Sequence, residues 1–190
     1  MVRLRVAVRV RPPEPGRSVQ VTCDERVSTK LAVRLPHAVS HEFAAVLGPS
    51  SSQADAYAQC GAPMLREAFE GNDSLLFAYG QVGSGKTYTL YGAEGGLDVA
   101  RLDGVVPQMV NELFRHTTAL EKAGTDKFTV SATLIEAQGQ HLVDMLAAYN
   151  AQGEPSYVKV TGTLQMVGVK RERVYSGRTF CLLVERAMAQ

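Results

Sequence analysis

From Val2 to Val10 the chain alternates. Val2, Leu4, Val6, Val8 and Val10 are apolar, with Arg3, Arg5, Ala7 and Arg9 between them. Period two predicts a strand with one apolar face. Pro12-Pro13 ends it, since neither residue can donate to a ladder. Short alternating stretches near Val19–Thr22 and Leu31–Leu35 predict a small hairpin. The run GPSSSQADAYAQCGAPMLREAFEG (48–71) changes period. Its residues Tyr57, Cys60, Met64, Leu65, Ala68 and Phe69 fall on one helical stripe. Serines at 50–52 offer an N-cap and Gly71 a left-handed stop, while Pro63 should kink or divide the helix.

Beyond it, SLLFAY (74–79) is an apolar run between Asp73 and Gly80, which suits a strand buried on both faces. A glycine loop follows, and a helix is expected from Lys86. Residues 92–104 read as a loop. Val106, Met109, Val110, Leu113 and Phe114 make a second helical stripe, with Pro107 in its first turn. Phe128, Val130, Ala132 and Leu134 alternate as a strand. HLVDMLAA reads as a short helix. Val158, Val160, Val167 and Val169 suggest two strands. At the end, Phe180, Leu183, Val184, Ala187 and Met188 share a helical face. The chain stops within that helix, without a closing glycine or proline, which suggests a fragment.

With 190 residues the chain suits one domain or a piece of a larger one. Its 45% hydrophobic and 21% charged content can build a globular core. A formal net charge of +1 gives no footprint for nucleic acid or an anionic membrane. No apolar run approaches the ~20 residues of a membrane span. The arginine-rich start lacks acids, as transit peptides do, but its period of two does not suit one. Three widely spaced cysteines, Cys23, Cys60 and Cys181, form no CxxC pair and no closed disulfide set. Buried thiols in a reducing compartment are expected.

The main chemical signal is Gly80-Gln81-Val82-Gly83-Ser84-Gly85-Lys86-Thr87, which fits G-x-x-x-x-G-K-[ST]. Glycines let the backbone curl until successive N–H groups point inward. Those dipoles and the following helix N-terminus favour phosphate oxygens. Lys86 would reach the β- and γ-phosphates, and the Thr87 hydroxyl would ligate Mg²⁺. A position between a predicted strand and a predicted helix is the context this motif requires. The loop is therefore expected to hold a nucleoside triphosphate with Mg²⁺.

Two segments narrow the class. VRVRPP (8–13) and FAYGQVGSGKTYTL (77–90) together resemble the kinesin motor domain. The likeness continues in order through GVVPQMVNELF (104–114), LIEAQGQHLVDML (134–146) and RVYSGRTFCLLVERAMAQ (173–190). The resemblance implies ATP and Mg²⁺ as ligands, Lys86 as a catalytic residue, and microtubules as the partner, mostly through elements outside these segments. It implies a cytoplasmic, cytoskeletal location. It also implies a three-layer α/β P-loop NTPase fold: a mixed, mostly parallel sheet with helices on both faces. Residues 1–190 would then be the N-terminal portion of a motor domain. Arg9, Arg11 and Pro12 would flank the adenine, with Tyr88 stacking from the other side. Read from the residues alone, the arginines could equally solvate one face of a strand.

Departures from the family pattern are Val82 for threonine, Gln108 for arginine, Ala44 for aspartate, and AQGQ (137–140) for I-Y-N-E. Neither N-x-x-S-S-R-S-H nor D-x-A-G-S-E, the two switch strings, occurs. This chain alone is therefore not expected to hydrolyse ATP. Two alternatives stay open: a non-catalytic nucleotide-binding or tubulin-interacting module, and a small self-contained NTPase using Glu136. Glu136 and Asp144 otherwise read as structural or surface carboxylates. His37 and His41 have i,i+4 spacing in a segment that is not helical, which argues against a metal pair.

Overall fold

The computed structural model describes residues 4–16, 21–23, 29–33, 39–92, 103–124, 126–147, 149, 153–163 and 165–189. Residues 93–102 of the loop expected at 92–104, and Val2, Val19, Leu35 and His37, lie outside them. Two compact units form among the described residues, one running up to Met109 and the other from Val110.

In the first unit, β1 (Ala7–Arg9) pairs in parallel with β5 (Ala45–Leu47). The ladder extends through Ala44 N–H to the Val6 carbonyl and Val10 N–H to the Leu47 carbonyl. All three β5 residues are buried. Sequence reading missed this strand because a three-residue apolar run carries no period. The expected hairpin is a three-stranded antiparallel meander, β2 (Val21–Cys23), β3 (Lys30–Val33) and β4 (Val39–Glu42).

The expected helix over 48–71 is divided in three. These are α1 (Gln53–Ala56), a π-helical turn (Tyr57–Gly61) and α2 (Ala62–Phe69). Pro63 explains the division. It has no N–H for the Gln59 carbonyl, and the widened turn ahead of it lets Ala62 N–H reach the Tyr57 carbonyl. Ser52 caps α1 in a reciprocal box with Asp55. Ala68 and Phe69 are exposed, so the apolar stripe fades after the buried Leu65. The core of this unit joins Leu47, Ala56 and Val105, with Tyr57, Cys60 and Leu76 packed on it.

The expected buried strand at 74–79 is not formed. This segment makes no ladder among the described residues. Leu75, Phe77 and Tyr79 are 84%, 66% and 96% exposed. Leu76 and Ala78 are half-buried. Burial thus alternates with the period of a strand covered on one face.

The helix α3 (Lys86–Tyr91) follows the glycine loop. Next comes α4 (Val105–Lys122), and the boundary between the units falls within it. Pro107 sits in the first turn of α4, where backbone N–H groups have no intrahelical acceptor anyway.

The second unit holds β6 (Val130–Ala132) antiparallel to β11 (Glu172–Val174). It also holds a hairpin of β7 (Ile135–Gln138) and β8 (His141–Asp144), and a short antiparallel pair of β9 (Lys159–Val160) and β10 (Met166–Val167). β8 corrects the helix expected at HLVDMLAA. Gly139-Gln140 turns the chain, and the register Ile135↔Asp144 is fixed across it. The last helix, α5 (Gly177–Met188), is capped by Ser176 and buries Cys181, Val184 and Ala187. Met188, expected on the buried face, is exposed.

Candidate functional site

The glycine motif lies in the first unit and curls as its composition requires. Gly83 and Gly85 adopt φ of 78° and 94°, values in the left-handed region that side chains other than glycine's disfavour. Gly80 has a different reason. A Cβ there would stand 2.5 Å from Ser84 Oγ. Ser84 N–H donates to the Gln81 carbonyl at 3.2 Å and closes the turn.

Lys86 begins α3 and folds back over the loop. Its Nζ donates to the carbonyls of Gly80 and Gln81, both at 2.9 Å. Thr87 is exposed in the first turn of α3, and Val82 is exposed on the loop. The opening N–H groups of a helix have no acceptor of their own, and α3 begins directly at the loop. Arg11 Nη1 donates to the Gly83 carbonyl at 2.7 Å. Its other nitrogen lies 3.9 Å from Glu14. Pro12 is exposed beside it.

Arg9 is held more firmly. Nη1 donates to Gln53 Oε1 at 2.6 Å and to Thr89 Oγ1 at 3.3 Å, and Nη2 donates to the Ser51 carbonyl at 3.3 Å. Its guanidinium stands 5.1 Å from the centroid of the Tyr88 ring. These two side chains, expected to flank a base, stand against one another.

Two cationic side chains, Lys86 and Arg11, therefore donate to carbonyls of one loop rich in glycine. This donor set fits an anionic chain of phosphates: amide N–H groups, one ammonium, one guanidinium and a threonine hydroxyl for a hard cation. Sequence reasoning missed Gln53, Ser51 and Thr89. The stripe of Tyr57 and Cys60 continues back one turn to Gln53, and that spacing was the available signal for its burial.

The other candidate groups have separate duties. Glu136 is exposed and accepts from Gln138 Nε2 at 2.6 Å. Asp144, 2% exposed, sits in β8 instead of a helix. Its carboxylate accepts from the N–H groups of Leu146 and Lys170, at 2.9 and 2.5 Å. His41 is exposed in β4. No group of His, Cys, Asp and Glu that could hold a metal occurs among the described residues. All three cysteines are free; Cys181 is buried, and Cys23 and Cys60 are half-buried. Burial raises each thiol's pKa and disfavours the thiolate. No helix among the described residues is long and apolar enough to cross a membrane.

Comparison with known proteins gives one family. The kinesin motor domain model matches residues 12–190. Kinesin-like protein KIN-5B of Arabidopsis thaliana is 30% identical over 212 aligned residues, covering 100% of this chain and 20% of its own length. KIN-14H of the same plant is 34% identical, covering 76% of this chain and 14% of its own length. KIN-7N, also from Arabidopsis thaliana, is 31% identical, covering 79% and 18%. The chain thus spans a fifth or less of the length of these relatives.

Proposed function

Because this chain belongs to the kinesin motor-domain family, we propose that it supplies the ATP-binding part of a cytoskeletal motor acting on microtubules. The observation that carries the reading is the loop Gly80–Thr87, with its left-handed glycines and with Lys86 lodged on its carbonyls. In this reading the loop amides take the phosphate oxygens of ATP. Lys86 exchanges its carbonyl partners for phosphate, and its charge stabilises the negative charge that develops on phosphoryl transfer. Thr87 Oγ1 is the protein ligand to Mg²⁺, which when bound neutralises phosphate charge. Arg9, Arg11, Pro12 and Tyr88 form the base end of the site. Gln81, Val82 and Ser84 shape the loop between.

The same reading makes residues 1–190 the N-terminal portion of a motor domain. The whole domain would be a three-layer P-loop NTPase whose central sheet carries helices on both faces. Microtubule contacts and the two switches belong to elements other than those described. The intact protein works in the cytoplasm on the cytoskeleton. A second reading, a nucleotide-binding module without turnover, draws support from Val82 and from AQGQ (137–140), where the family pattern has hydroxyl and acidic groups.

Equilibrium binding of a non-hydrolysable ATP analogue separates the lysine's role from a merely structural one. Lys86→Ala is expected to weaken binding at least about thirtyfold, the effect of removing a desolvated charge partner (~2 kcal/mol or more). Equal affinity in both proteins rejects the assignment. Steady-state ATPase of the intact gene product, with and without microtubules, separates the two readings. Stimulated turnover favours the motor.

A further inference from the structure

We propose that Gln53 is a positioning residue that sets the base end of the nucleotide site by fixing Arg9 against Tyr88. The inference rests on the reading of the loop as a nucleotide site and adds a residue to it. Gln53 is 7% exposed and opens α1, so its amide is a buried polar group that must find partners. It finds one on each side. Oε1 accepts from Arg9 Nη1 on β1 at 2.6 Å, and Nε2 donates to the Tyr88 carbonyl on α3 at 2.7 Å. Chemistry fixes this orientation, because a guanidinium only donates and a carbonyl only accepts.

One side chain thus ties the first strand to the helix that follows the phosphate loop, across 44 residues in one direction and 35 in the other. The Gln53 backbone is itself held, since its carbonyl accepts from Gln108 Nε2 at 3.2 Å. Gln108 also donates to the Asp103 carbonyl at 2.5 Å. With Gln53 in place, Arg9 has one position, stacked on Tyr88. Without it, the guanidinium keeps the Tyr88 ring and two longer hydrogen bonds, to Thr89 and Ser51 at 3.3 Å, and loses its shortest one. The loop's own bonds, from Lys86 and Arg11, do not involve Gln53. Its loss should therefore be felt at the base and not at the phosphates.

Binding of MgATP and of magnesium tripolyphosphate, measured on the full chain, tests this. Gln53→Met is expected to weaken MgATP about tenfold, for a lost charge-assisted bond, and to leave tripolyphosphate within about twofold. Gln53→Glu keeps an acceptor for Arg9 and loses the donor to Tyr88. It should cost about threefold for MgATP alone, and it carries the test if the methionine variant does not fold. Equal loss for both ligands, or no loss for either, overturns the role of Gln53. If Lys86→Ala leaves both ligands unaffected in the same assay, the nucleotide reading itself falls and takes this role with it.

Discussion

Gly85 occupies the N-cap position of α3 at φ 94° with open space around it. The cost of a side chain there is conformational, not steric. Gly85→Ala is expected to destabilise the fold by about 1–2 kcal/mol, read as a shift in urea midpoint without a change in slope. A second residue gives a pH prediction. Hydrogen bonds from the Ser52 hydroxyl and backbone hold the Asp55 carboxyl below its ordinary pKa of 3.8. A depressed folded pKa means the stabilisation is complete above 3.8 and is lost as pH falls through the lower folded value. Asp55→Asn should therefore flatten the acid limb of the wild-type stability curve below pH 3.8, followed by circular dichroism. At this scale the curl of the glycine loop was legible because it depends on local spacing. Gln53 was not, because its partners lie 44 and 35 residues away and nothing local names them.

Among the elements, those with many periods were read well and those with few were not. α4 and α5 carry apolar stripes over several turns, and both formed. HLVDMLAA offered only about two turns of pattern, and its first four residues became half of a hairpin, because Gly139 ahead of it supplies the reversal and β7 the partner. The segment 74–79 shows the opposite failure. Its apolar run is present, yet it joins no ladder among the described residues, because a strand requires a neighbour's backbone as well as its own sequence. The start of α5 can be tested directly. Ser176 Oγ accepts from Thr179 N–H at 3.1 Å, and Thr179 Oγ1 accepts from Ser176 N–H at 2.9 Å. Ser176→Ala should cost about 1 kcal/mol in chemical denaturation, with Ser176→Asp retaining most of it.

At the scale of the molecule, family membership was legible from the order of five segments, whereas the sheet layout was not. The described strands form small sheets of two or three members. Leu75, Phe77 and Tyr79 leave an apolar row facing solvent. Exposed rows of this kind promote association. The 190-residue chain alone is expected to bind a hydrophobic dye and to melt below the usual ~45–65 °C range of small domains. A cooperative melt at the top of that range, without dye binding, would count against the proposal that these residues form one portion of a larger domain.

Whether Gly80–Thr87 seats a triphosphate is asked directly by titrating the ¹⁵N-labelled chain with MgATP and following its backbone amide resonances. The largest shifts are predicted at Gly83, Gly85, Lys86 and Thr87, with little change in β7, β8 or α5. Saturating MgATP that leaves those four amides unmoved would contradict it.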